Sequence, residues 1–364
     1  MKEVLVLDTG GTFSQEPTQE GLKPSTRNWI RLVPEIHQLA NITYQGIQEG
    51  LQRIDSTEMT TSHRKKLANI ITQQLHNYDG FVIVQGTDSM VESGAALSYM
   101  LQNTSKPVVL TGSQIPIFNS IQTDAKRNIY HAVEAAASNL KETAIAFGDV
   151  LLRANRAQKI NENQYKAFET PRVAPLATYG INGLSELEVH AQTNEYNQPT
   201  TFTEFDERVG FYWQSSGTQA SHLDLLVEQE NVQGIVLAAF GAGNVQKRHQ
   251  KSIERAINKY HKPVIVTTQC LRGTAEFDLY EVSQGVVQAG AISAQELTPQ
   301  AATQKLMYAL GQANKQGITP QNRRDYVQEI IQTNIAGDLE TTPLTKKQAT
   351  HASDPAQQRP YSYA

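Results

Sequence analysis

The chain is almost without cysteine: Cys270 is the only one in 364 residues. No disulfide can form within the chain, and a thiolate-based zinc site has no ligand set to draw on. Such scarcity fits a reducing compartment, and a cytoplasmic location is expected. Long apolar runs are missing as well. The stretch Val4 to Leu7 ends at Asp8, well short of a signal-peptide core or of the roughly 20 residues that cross a bilayer. No excess of positive charge exists: 32 Lys and Arg face 36 Asp and Glu, for a formal net charge of -4. The longest basic run, Arg64 to Lys66, reads as a solvated helix face. Nucleic acid and membrane are therefore not expected as partners. Phosphate-binding turns of the GxGxxG or GxxxxGK[ST] kind do not occur either.

What is present suits a globular α/β protein with 39% hydrophobic and 19% charged residues, long enough for two cores. Two stretches share one layout. DGFVIVQGTDS (Asp79–Ser89) leads through a helical segment to KPVVLTGSQ (Lys106–Gln114), and QGIVLAAFGAGN (Gln233–Asn244) leads through another to KPVIVTTQC (Lys262–Cys270). Continuous apolar strands suit sheets buried on both faces, and strand–helix–strand units suit parallel crossovers. Met90, Gly94, Leu97 and Leu101 fall at helical spacing behind a cap at Asp88–Ser89. Ile129, Val133, Ala136 and Leu140 do so behind Asp124. The expected architecture is two α/β domains, each a mostly parallel sheet flanked by helices, the N-terminal one larger. The boundaries are a catalytic domain over 1–191, a polar linker over 192–211, a smaller domain over 212–338 and a polar tail over 339–364.

Open parallel sheets bind ligands where their strands deliver C-terminal ends. Three predicted strands of the first half end in TGGT (Thr9–Thr12), QGTD (Gln85–Asp88) and TGSQ (Thr111–Gln114). Each sets a glycine, which permits close backbone approach, beside a hydroxyl. With no phosphate turn in view, the cluster suits acyl transfer: a hydroxyl attacks a carbonyl, N–H groups hold the oxyanion and a base takes the proton. No histidine lies near these motifs in sequence, so a lysine held by a carboxylate is the candidate base. Taken singly, each piece has a plainer reading: a Gly-Thr strand end is usually a turn, and Asp88 is a ready helix cap. Three such ends in one sheet favour a site.

These motifs resemble those of the bacterial-type L-asparaginase (asparaginase/glutaminase) family, nearest its cytoplasmic type I branch. TGGT and VQGTDSM (Val84–Met90) are similar to its two signatures. PVVLTGSQIP (Pro107–Pro116), RIDSTEMT (Arg53–Thr60), RANRAQK (Arg153–Lys159), GAGN (Gly241–Asn244) and TTQC (Thr267–Cys270) match further segments. The resemblance implies Thr12 as first nucleophile and Thr87, Asp88 and Lys159 as a second cluster with Lys159 as base. It also implies a substrate site of Ser56, Thr57, Gly86 and Ser113, with Asn244, and Asp278 from the stretch Thr274–Glu281, reaching in from a neighbouring subunit. A homodimer or tetramer acting on a small-molecule substrate, with no metal or organic cofactor, follows from the same likeness. Without the matched segments, Lys159 would be a solvated loop lysine, Ser56 a turn serine and Asn244 a left-handed turn residue.

Two positions depart from the pattern. Leu22, in EGLKPS, stands where the family carries a lid tyrosine, and leucine has no hydrogen to donate or relay. Ala238 stands where some type I members place an effector-binding arginine beside equivalents of Thr268 and Cys270, so activation by asparagine is not expected. The expected activity is hydrolysis of L-asparagine to L-aspartate and ammonia through a threonine acyl-enzyme, with possible glutaminase side activity. The alternatives are a catalytically weak amino-acid-binding homologue and an ammonia-supplying subunit of a tRNA-dependent amidotransferase.

Overall fold

Strand β1 (Lys2–Asp8) opens the chain, and its apolar run is buried on both sides. Leu5 and Leu7 enter one core and Val4 and Val6 the other. That two-sided burial is why the run shows no polar alternation. The computed structural model describes residues 1–46, 53–119, 121–187, 199–277 and 281–340.

A hairpin of β2 (Gln15–Thr18) and β3 (Gly21–Pro24) follows, then β4 (Ala40–Gln45), which returns parallel to β1. Helix α1 (Thr61–Gln74) starts in a capping box between Thr60 and His63. It leads to β5 (Gly80–Val84), α2 (Met90–Met100), the short β6 (Leu101–Gln102) and β7 (Val108–Thr111). Then come α3 (Ala125–Ala136), β8 (Thr143–Phe147) and β9 (Val150–Arg153). Short strands β10 (Gln158–Lys159), β11 (Phe168–Glu169), β12 (Ala177–Gly180) and β13 (Gly183–Leu184) complete this part. The eight-stranded sheet runs β13-β12-β9-β8-β7-β5-β1-β4, parallel from β8 to β4 and antiparallel beyond β8. Helices α1 and α2 cover one face and α3 the other.

Strand β14 (Thr200–Thr201), inside the expected linker, pairs with β6. The second sheet is smaller and wholly parallel. Its order is β15 (Val209–Trp213), β16 (Gly234–Ala239), β17 (Val264–Thr268) and β18 (Ile292–Ser293). Helices α4 (Ser221–Glu228), α5 (Lys247–Asn258), α6 (Glu281–Gln288), α7 (Pro299–Lys315) and α8 (Pro320–Gln332) flank it. The protein is thus a two-domain α/β fold with the larger domain first. The domains share a core: Leu306 and Leu310 of α7 and Val236 of β16 pack in one cluster with Leu97 of α2. Behind them, Lys305 and Asp338 form a wholly buried ion pair at 2.7 Å, to which the Tyr99 hydroxyl donates at 3.0 Å. That pair ties the segment after α8 inward, so Leu339, expected at the head of the polar tail, is buried. Residues 341–364 of that tail lie outside the described residues.

One sequence expectation is corrected. Arg64 is not on a solvated face; it is buried and donates through Nε to Ser93 Oγ at 3.0 Å. The buried positions of α1 are Thr61, Arg64, Leu67, Ala68 and Ile71, one helical stripe that runs straight through the basic run. No helix of the described residues is long and apolar enough to cross a membrane.

Candidate active site

The larger sheet grows in both directions from β1: β4 is added on one side and β5 on the other. That reversal is a topological switch point, where open α/β sheets leave a crevice at their strand ends. The register brings the motif-bearing ends level. Asp8 pairs with Val84, and Val84 with Thr111, so TGGT, QGTD and TGSQ leave the sheet side by side.

Two glycines let these turns touch. Gly11 has φ 74°, and a Cβ there would lie 2.1 Å from the Gly86 Cα. A Cβ on Gly86 would lie 2.5 Å from the Ser56 hydroxyl. Only glycine allows the first turn, the second turn and the loop carrying Ser56 to meet this closely.

Thr12 is the first residue of a short 3-10 turn, Thr12–Ser14, and is half-buried. Its hydroxyl makes no hydrogen bond among the described residues, so it is free to meet a ligand. Thr87 is buried in the second turn, directly after the Gly86 that meets Gly11. Lys159 arrives on β10 and donates to Thr87 Oγ1 at 2.9 Å and to Asp88 Oδ1 at 2.6 Å. Its side chain is 18% exposed and that of Asp88 59% exposed, so the carboxylate opens outward while the amine is sheltered. Residue Asp88 does not cap α2. The N-cap is Ser89, without a side-chain cap bond, because Lys159 claims the Asp88 carboxylate and the Ser89 hydroxyl turns to the Ser56 carbonyl at 2.5 Å.

Ser56 is buried, and its Oγ accepts the Asp88 N–H at 3.3 Å while its own hydrogen has no acceptor among the described residues. A hydroxyl so placed can donate to an anion. Thr57 is exposed, and its hydroxyl is already given to Asp55 at 2.8 Å. Ser113 is buried and donates to the Ile115 carbonyl at 2.8 Å. Asp124 sits at the N-cap of α3 but leaves the helix uncapped. Its carboxylate instead accepts N–H groups of Gln114 and Ile115 and so fixes the third turn.

Asn244 lies in the smaller domain, in the turn after β16, where its carbonyl accepts from Gln214 at 3.0 Å. It is not among the hydrogen-bond partners of Thr87, Asp88 or Lys159. Asp278 lies outside the described residues. Ala238 is buried inside β16, and the Thr268 hydroxyl donates to the Gly241 carbonyl at 2.5 Å. Leu22 stands on β3, 46% exposed, opposite Pro17 in the hairpin that follows Thr12. Among the described residues no group of three or more His, Cys, Asp or Glu is set to hold a metal ion.

Sequence reasoning missed what lies beneath the first turn. Asp8 is fully buried, and its carboxylate gathers Gly10, Ser14, Trp29, Tyr44 and Arg53. An aspartate closing the apolar run Val4–Leu7 was the available signal, since such a carboxylate needs buried donors.

An amidohydrolase is what this fold and its likenesses define. A model described as "Asparaginase, N-terminal" matches residues 3–194, and one described as "Glutaminase/Asparaginase C-terminal domain" matches 208–319. The chain belongs to the asparaginase family. It is 30% identical to L-asparaginase 1 of Escherichia coli K12, over 85% of this chain and 92% of that one. It is 29% identical to a glutamyl-tRNA(Gln) amidotransferase subunit of Pyrococcus abyssi, over 95% of this chain and 78% of that one. The thermostable L-asparaginase from Thermococcus kodakarensis superposes with a TM-score of 0.82 at 27% identity, covering 93% of this chain and 100% of that one.

Proposed function

We propose that the protein hydrolyses the side-chain amide of L-asparagine, releasing L-aspartate and ammonia through an acyl-enzyme on Thr12. The observation that carries this reading is the contact of the Lys159 amine with the Thr87 hydroxyl at 2.9 Å, braced by Asp88. In the first half-reaction Thr12 Oγ1 attacks the amide carbon. Its proton passes by way of Thr87 to Lys159 and on to the departing nitrogen, which leaves as ammonia. In the second, water attacks the ester, its proton follows the same path, and aspartate is released as Thr12 regains its hydrogen. The Ser56 hydroxyl holds the α-carboxylate and the outward-facing Asp88 carboxylate the α-ammonium. Gly86, Thr57 and Ser113 line the remaining walls. Asn244 of the partner subunit completes the site in a homodimer or tetramer, and the cytoplasm is the proposed location.

Leu22 favours a second reading, a homologue that binds amino acids and turns over weakly, because this exposed side chain on the hairpin that follows Thr12 has no hydroxyl to offer. Ammonia release by the purified protein from L-asparagine, L-glutamine and D-asparagine decides between them. Rapid release from L-asparagine alone supports hydrolysis. Measurable aspartate binding without release supports the weak binder. Release that requires a partner and charged tRNA would instead favour the amidotransferase role.

A further inference from the structure

We infer that the buried Asp8–Arg53 pair is a positioning device for Thr12, joining the nucleophile turn, both feet of the hairpin that follows it and the Ser56 loop in one ionic hub. The inference rests on the reading of Thr12 as nucleophile. On one side, Asp8 Oδ1 accepts the Gly10 N–H at 3.0 Å and the Ser14 hydroxyl at 2.8 Å, the residues that bracket Thr12. On the other, Oδ2 accepts Trp29 Nε1 at 2.8 Å, the Tyr44 hydroxyl at 2.7 Å, and Arg53 through Nε at 2.9 Å and Nη2 at 2.5 Å.

Arg53 carries the connection outward. Its guanidinium also donates to the carbonyls of Ser25 and Arg27, just past the hairpin. Ser14 precedes β2 and Ser25 follows β3, and the Ser25 N–H donates to the Ser14 carbonyl at 3.0 Å. Next in the chain, Ile54 exchanges backbone bonds with the turn, Ile54 N–H to the Thr9 carbonyl at 2.8 Å and Gly11 N–H to the Ile54 carbonyl at 3.3 Å. Ser56 is two residues further. The spacing between Thr12 and Ser56 is thus set through Asp8 and Arg53. Arginine suits this task because its planar fork serves a carboxylate and two carbonyls at once, which a lysine amine cannot reach together. Both side chains are nearly free of solvent, at 2% and 0% exposure, so the arrangement is held where competing water is excluded. Displacement of a reacting group by about 1 Å can cost a hundredfold in rate.

The Tyr44 phenol is pushed above its ordinary value, first by burial and then by the Asp8 carboxylate, so it stays a neutral donor on the side of the hub away from Thr12. It provides the control. Ser14→Ala deletes one hydrogen bond to the carboxylate, whereas Tyr44→Phe deletes one to the carboxylate and also the one the phenol accepts from Arg53 Nη2 at 2.8 Å; both keep the charges paired. Ser14→Ala is expected to lower kcat on L-asparagine about tenfold or more with KM within about threefold, and to speed amide exchange at Gly10–Ser14 by about tenfold. Tyr44→Phe is expected to leave both readouts within about twofold. Arg53→Lys is expected to speed exchange throughout the hairpin, Gln15–Pro24. Unchanged exchange at Gly10–Ser14 in Ser14→Ala, or equal effects of Ser14→Ala and Tyr44→Phe, would overturn the inference. A wild type that releases no ammonia but shows this exchange contrast sinks the asparagine reading and supports the hub.

Discussion

The amine of Lys159 rests 2.9 Å from the hydroxyl of Thr87, although 72 residues separate them in sequence. The contact is made from β10, a two-residue strand whose approach is braced from below. The preceding residues Asn155 and Arg156 donate to the carbonyls of Ala336 and Gly337, at 2.9 and 2.8 Å. Arg156 also pairs with Glu296 at 2.9 Å. The catalytic lysine of the proposed mechanism is therefore held by both domains.

From this contact the first prediction follows. Lys159→Met removes the amine but not the packing of its stem. Because the Asp88 carboxylate is mostly exposed, its loss of a partner costs about 1 kcal/mol of stability or less. Turnover on L-asparagine should fall about 10²–10⁴-fold. Thr12→Ala and Thr87→Val should each cut it by several orders of magnitude while circular dichroism remains that of the wild type. A variant of Thr12 or Thr87 at near-normal rate removes that residue from the proposed mechanism.

The reach of the sequence alone was uneven, for physical reasons. The strand ends at Thr9–Thr12, Gln85–Asp88 and Thr111–Gln114 were legible because a buried parallel strand and its glycine turn are written in adjacent residues. Lys159 stands out only through a matched segment, since no local pattern marks a lysine that meets Thr87 and Asp88 across the fold. Arg53 was passed over for the same reason: it pairs with Asp8 across 45 residues, and neither residue's neighbours announce the other. Arg64 was misplaced although the helical period was available. Three adjacent basic residues outweighed the stripe that Arg64 shares with Leu67, Ala68 and Ile71.

A second prediction concerns the buried Lys305–Asp338 pair of the smaller domain, which Tyr99 of the larger domain meets through its hydroxyl. Asp338→Ala strands the Lys305 ammonium where neither side chain meets solvent, and the Tyr99 hydroxyl loses its acceptor as well. Breaking such a pair from one side costs about 3–5 kcal/mol. Lys315→Ala, which breaks the exposed pair with Glu204, should cost about 1 kcal/mol or less. Chemical denaturation of the two variants side by side measures the difference. Equal midpoints would mean that the buried pair contributes no more than a surface one.

Acid should weaken the fold through two histidines. His249 is fully buried, and among the described residues neither of its ring nitrogens has a hydrogen-bond partner. Burial first, then nearby Arg248, lowers its value, against a smaller opposing pull from Asp224. His131, stacked on Tyr179 at 3.8 Å, is lowered mainly by burial, against the Gly148 carbonyl that raises it. Both stay neutral when folded at a pH where the unfolded chain already binds protons. Their neutral forms are equally available to both states above the unfolded value of about 6.5, so no stability is lost there. Stability then falls as the pH drops from about 6.5 towards the depressed folded values. Tm measured from pH 7.5 down to 5 should decline, and His249→Leu should flatten that decline. An identical slope in the variant would show that His249 takes no part in it.

Leu22→Tyr tests the most conspicuous departure from the family pattern. The side chain is 46% exposed on a two-stranded hairpin, and its cross-strand neighbour is Pro17, so a larger ring meets little that must move. Surface changes of this kind stay within about 0.5 kcal/mol of neutral. What the tyrosine adds is a hydroxyl that can donate, accept and pass a proton, none of which leucine can do. If the Thr12 hydroxyl, unpartnered among the described residues, is limited by the lack of such a group, kcat on L-asparagine should rise several-fold in Leu22→Tyr. KM should change little, because the Ser56 and Asp88 ends of the pocket are untouched. Leu22→Phe supplies the ring without the hydroxyl and should not show the gain. Equal rates in the tyrosine and phenylalanine variants would mean that the hairpin acts by covering the site, and that proton transfer from Thr12 runs through Thr87 and Lys159 alone.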